Sequence, residues 1–145
     1  MADKNTSKNI DNEPEESVGF PQTWDELKAV DGYADLPDMV QANEFTPSQS
    51  ILFSVASGRV TARWQKLIDM GAFAGDGKYD EEEAMMLMAE GVEYANSFFE
   101  TIADDKKTYD EWLKGRTVGD LFGIFLVLVR FYGDQLGKSA ASKLH

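Results

Sequence analysis

The chain has 145 residues, no cysteine and a formal net charge of −12. That length suits one domain with a single hydrophobic core, and 43% apolar and 12% aromatic residues are enough to fill it. The missing thiols exclude disulfides, thiolate catalysis and thiol-bound zinc, and they fit a reducing, intracellular setting. The acidity argues against a nucleic-acid backbone, which is held by clustered Lys and Arg, and against an anionic membrane surface. It leaves open a basic protein partner.

The first stretch, "MADKNTSKNIDNEPEESVGF", mixes Lys, Asn, Asp, Glu and Ser with few apolar side chains. It cannot bury enough surface to offset its ordering entropy, so a disordered acidic arm is expected over 1–22. No apolar stretch follows the charges of "MADKNTSKNI", so no signal peptide is expected. A single helical domain is expected over 23–137, with a flexible tail over 138–145.

Thr23 and Glu26 have the spacing of a capping box, in which each side chain bonds the other's free backbone N–H, and they open a helix over 24–30. "DGYADLPDM" then reads as a loop broken by Gly32 and Pro37. Thr46, Pro47 and Gln49 repeat the start signal, with proline at the first helical position, where its missing N–H has no partner to lose. This second helix runs to about Met70 on the apolar positions Ile51, Leu52, Val55, Trp64, Leu67 and Ile68. Gly58 is expected to weaken or break it, and Gly71 to stop it.

Asp80 caps the next helix, and acids at 81–83 favour the positive end of its dipole. Met85, Met88, Val92, Ala95, Phe99 and Ile102 alternate in steps of three and four, which makes one apolar stripe. Met85, Met86 and Met88 read either as core filling or as an adaptable binding surface. Thr108 with Glu111 starts a short helix through "YDEWLKG", ended by Gly115. Thr117 with Asp120 opens the last helix, about 118–136, ended by Gly137. No alternating β-branched runs joined by hairpin turns occur. The expected fold is all-α, a small helical bundle of four to six helices.

The last helix contains "LFGIFLVLVRFY", the most hydrophobic stretch of the chain. A membrane span needs about 20 apolar residues, and this run is stopped by Arg130 and flanked by Asp120 and Asp134. Projected at about 100° per residue, Asp120, Gly123, Arg130 and Asp134 share a solvent side. Val118, Phe122, Phe125, Val129, Tyr132 and Leu136 lie opposite, ready to pack on the Met85–Ile102 stripe. Leu121, Ile124, Leu128 and Phe131 make a further stripe. Either the helix is central and both stripes are covered, or this further stripe is a partner-binding face.

Catalytic chemistry is sparse, and no enzyme is expected. "AFAGDGKYDEEE" places Gly77, Asp76, Asp80 and Glu83 like parts of a calcium-binding EF-hand loop, but Ala72 and Ala74 occupy its first and third ligand positions. The only histidine is His145, the last residue, so no histidine base or metal triad is expected. "SVASGRVT" and "GKS" at 137–139 lack the spacing of a phosphate loop. Asp104 and Asp105 read as solvated turn residues. No catalytic residue, cofactor or metal is expected.

The acidic start, the "WDEL" entry, the "TYDEWLKG" turn and the closing "LVRFYGDQLGKSAASK" resemble, as a pattern, the tail assembly chaperones of long-tailed (siphovirus-type) bacteriophages, especially those infecting actinobacteria. The resemblance implies a protein that coats the apolar, helical tape measure protein in the cytoplasm of the infected bacterial host and is absent from the mature virion. It also implies many copies acting together, with further copies of itself or with a frameshifted longer form; "GKS" can be encoded by a run of G followed by A, the kind of sequence where slippage occurs. Under this reading Leu121, Ile124, Leu128 and Phe131 contact the tape measure protein or another copy. The alternatives are a small acidic phage-encoded inhibitor of a basic host or defence protein, and a structural virion subunit. None of these involves nucleic acid or a membrane.

Overall fold

The computed structural model describes residues 19–143, with side chains described as far as 138. The chain divides into two units, 1–36 and 37–145. The entry helix belongs to the first of these units.

In the first unit, α1 spans Trp24–Lys28. Thr23 Oγ1 accepts the Glu26 N–H at 3.1 Å, as a capping box requires. The Glu26 carboxylate, however, accepts from the N–H of Gln22 at 2.7 Å, one residue before the cap. The helix ends two residues short of the expected span, Leu27 is its buried anchor, and Gly32 turns the chain at φ +91°.

The second unit begins with an extended segment. Val40 N–H donates to the Ile102 carbonyl at 2.8 Å and Asp104 N–H to the Asp38 carbonyl at 2.9 Å. After a 3-10 turn at Ala42–Glu44 come α2 (Pro47–Asp69), α3 (Glu81–Ile102), α4 (Lys106–Leu113) and α5 (Val118–Lys143). The fold is all-α, and no strand occurs among the described residues.

α2 opens on a complete capping box, Thr46 with Gln49, and Pro47 stands at its first position. It passes through Gly58 unbroken, because one glycine costs only about 1 kcal/mol in a helix that long and well packed. Gly71, at φ +85°, ends it. Asp80 caps α3 by accepting from the N–H groups of Glu82 and Glu83. The two helices run antiparallel. Phe53 near the start of α2 meets Phe98 near the end of α3 at 5.6 Å, and Arg63 pairs with Glu90 at 3.1 Å further along.

α5 packs on α3 through the face the sequence predicts. Phe125 stacks on Phe99 at 5.7 Å, and Tyr132 meets the same ring at 5.6 Å. Gly91 is buried where the Phe122 ring crosses α3, and a Cβ there would stand 2.5 Å from Phe122 Cε1. Asp120, Gly123, Arg130 and Asp134 are exposed, and Arg130 faces Asp134 at 3.9 Å. Two ends differ from expectation. α4 is capped by Asp105, which accepts from Lys107 N–H, and Thr108 only donates its hydroxyl to that carboxylate. α5 continues past Gly137 to Lys143, so helix occupies most of the segment expected to be a flexible tail.

Candidate protein-binding surfaces

The stripe expected to bind a partner is inside the chain. Leu121, Ile124, Leu128 and Phe131 are 8%, 6%, 0% and 1% exposed. The closing helix is thus buried along both of its apolar stripes, and this stripe offers no docking face. Its hydrophobicity reflects how much of its circumference is buried, as for any helix apolar nearly all round.

Exposed apolar surface lies instead on the α2–α3 pair. α2 carries two apolar faces. Phe53, Ala56, Val60 and Leu67 are buried; of the six apolar positions expected to face inward, Leu67 is buried and Trp64 half-buried, whereas Ile51, Leu52, Val55 and Ile68 are exposed. On α3 the core runs through Ala84, Leu87, Gly91, Ala95 and Phe99, a small rotation from the expected stripe. Met85 and Met86 are left outside and Met88 half-buried.

The exposed groups form two regions. At the end where α2 gives way to α3, Ile68, Phe73, Met85 and Met86 are 43%, 54%, 53% and 58% exposed. Phe73 is held by its ring contact with Trp64, 5.0 Å away, and Trp64 in turn approaches Phe122 at 6.4 Å. The intervening loop turns on Gly71, Gly75 and Gly77, all at positive φ.

The second region is a groove of about 280 Å³ along the outer seam of the two helices. Leu52, Val55 and Arg59 form one wall, Glu93, Ser97 and Thr101 the other, and Phe98 and Tyr94 line it between them. The guanidinium groups of Arg59 and Arg63 sit 4.9 and 4.7 Å from the centre of the Tyr94 ring. These contacts hold the arginines by cation–π attraction. Arg63 also pairs with Glu90, but neither Arg59 nor Glu93 has an ion-pair partner among the described residues. The sequence alone gave no way to find this groove, because it depends on which residues of two distant helices come level.

The EF-hand-like loop uses its carboxylates on its own backbone. Asp76 accepts from Lys78 N–H at 2.9 Å and Asp80 caps α3. Among the described residues no group of three or more His, Asp or Glu side chains is placed to hold a metal. His145 lies outside the described residues. Burial raises the phenols of Tyr109 and Tyr132 well above their ordinary range, yet both are structural: Tyr109 donates to Asn96 at 2.7 Å and Tyr132 to the Val40 carbonyl at 2.8 Å. The Trp112 indole N–H is buried with no acceptor among the described residues. No described helix is long and apolar enough to cross a membrane.

No protein-family model, curated protein or solved structure matches this chain.

Proposed function

We propose that the chain is a non-enzymatic protein that binds an apolar segment of another protein, and that it serves phage tail assembly as a chaperone of the tape measure protein. The observation that supports the binding reading is the exposure of four large apolar side chains, Ile68, Phe73, Met85 and Met86, where α2 gives way to α3. Large apolar side chains grouped on a surface favour interaction, and paired methionines adapt to a partner of irregular shape. The net charge of −12 keeps many copies soluble while they act together. The phage setting, the host cytoplasm, the absence from the virion and a frameshifted longer form rest on the sequence resemblance.

Co-expression with a tape measure protein from the same phage tests the reading. The expected outcome is that the tape measure protein becomes soluble, and that Phe73→Ser with Met86→Ser abolishes the effect while the variant stays folded. Failure of the unaltered chain to rescue solubility overturns it. The six glutamates of α3, with no basic residue, favour the acidic inhibitor as a second reading. Partner binding that collapses as salt rises would support that alternative.

A further inference from the structure

The walls of the seam groove carry opposite charge. α2 presents Arg59, Arg63 and Lys66 against Asp69 alone, while α3 carries only glutamates among its charged residues. A partner helix of one sign satisfies one wall and opposes the other. A surface with this division is complementary to itself when turned about a two-fold axis along the seam.

We infer that the α2–α3 seam is a self-association site and that its occupant is a second copy of this chain. Such an axis sets each α2 against the partner's α3, antiparallel and at the same height. Within one chain Arg59 is level with Tyr94 and its neighbour Glu93, because its guanidinium rests on the Tyr94 ring. The rotation preserves that level, so Arg59 meets Glu93 of the partner subunit, and the reverse pair forms with it. The two charged groups without an ion-pair partner among the described residues are thereby matched. Leu52 and Val55, 54% and 45% exposed, come to lie over Ser97 and Thr101 of the partner subunit, and both copies of the groove close over Phe98. The product is a four-helix arrangement in which every neighbour is antiparallel. Phe73 lies in the loop before α3 and does not line this groove, so self-association and tape measure binding can be separated by Phe73→Ser alone.

Sedimentation equilibrium of the full chain tests the inference. A monomer–dimer equilibrium is expected, tightening as salt screens the repulsion between two bodies of charge −12. Arg59→Glu and Glu93→Arg, both at exposed positions, each raise the dissociation constant by about tenfold or more, the cost of like charges facing across an interface. The two changes together in one chain restore the dimer. Because the chain has no cysteine, Val55→Cys mixed with Ser97→Cys reports the axis directly by forming a mixed disulfide. A chain that stays monomeric at high micromolar concentration overturns the inference, as does a dimer indifferent to both charge reversals. Cross-linking of Val55→Cys only to itself overturns the proposed axis. A monomer that instead binds an added basic amphipathic helix assigns the seam to a foreign partner and overturns the second-copy occupant.

Discussion

The hydroxyl of Tyr132 donates to the carbonyl of Val40 at 2.8 Å, across 92 residues of chain. The N–H of Val40 donates in turn to the Ile102 carbonyl, so both polar groups of one residue are satisfied by separate helices. The extended segment is held between the end of α3 and the middle of α5. Tyr132→Phe removes one bond and leaves a carbonyl short of a partner, at a cost of about 1–3 kcal/mol. Urea unfolding should show that loss, and hydrogen exchange at the Val40 N–H should quicken. Unchanged exchange there would mean the segment is held without the phenol.

Tyr132 and Tyr109 also make stability depend on alkaline pH. Both phenols are raised from an ordinary 10.0, first by burial and then by carboxylates: Asp104 beside Tyr132, Glu100 and Asp110 near Tyr109. Above pH 10 the unfolded chain releases these protons while the folded chain keeps them. The stability conferred by their burial is therefore complete below about pH 10 and is lost as pH rises, by about 1.4 kcal/mol per tyrosine per pH unit. Unfolding free energies measured between neutral pH and pH 11 should fall over that window. The Tyr109→Phe, Tyr132→Phe double variant should show a shallower fall.

Gly91 is expected to resist substitution even though it sits inside a helix. Elsewhere Gly→Ala in a helix gains up to about 1 kcal/mol. Here the added methyl would stand 2.5 Å from Phe122 Cε1, and that ring is 3% exposed with little room to retreat. Gly91→Ala should destabilise by about 1–3 kcal/mol, the usual range for overpacking a core. Phe122→Leu in the same chain should recover part of the loss. A Gly91→Ala variant more stable than the unaltered chain would show that the ring moves freely.

Local chemistry made the helices legible, and tertiary choice hid their faces. Thr46, Pro47, Gln49, Asp80 and Gly71 work as caps and stops because their effects act within one turn. Ile51, Leu52 and Val55 misled because α2 is apolar on two sides, and periodicity cannot say which side a neighbour will cover. Thr108 has cap spacing, but Asp105 lies closer to the turn where the chain leaves its extended conformation, and a carboxylate is at least as good a cap. Gly137 looked like a stop, yet a glycine ends a helix only when the chain turns left-handed there. Gly137 is not among the positive-φ glycines.

The stripe Leu121, Ile124, Leu128 and Phe131 gives the sharpest separation between a core and an interface. If these side chains met a partner, truncating them in the free protein would change stability little, since surface substitutions typically fall within about 0.5 kcal/mol. In this structure Leu128 and Phe131 are 0% and 1% exposed. Leu128→Ala should therefore cost about 2–5 kcal/mol and Phe131→Ala about 3–5 kcal/mol, combining lost transfer energy with the cavity left behind. Denaturant unfolding of the purified chain, with no partner present, should show both losses. Met86→Ala, on an exposed side chain, should move the midpoint little. Near-neutral effects at Leu128 and Phe131 would place them on an open surface and return the closing helix to the list of docking faces.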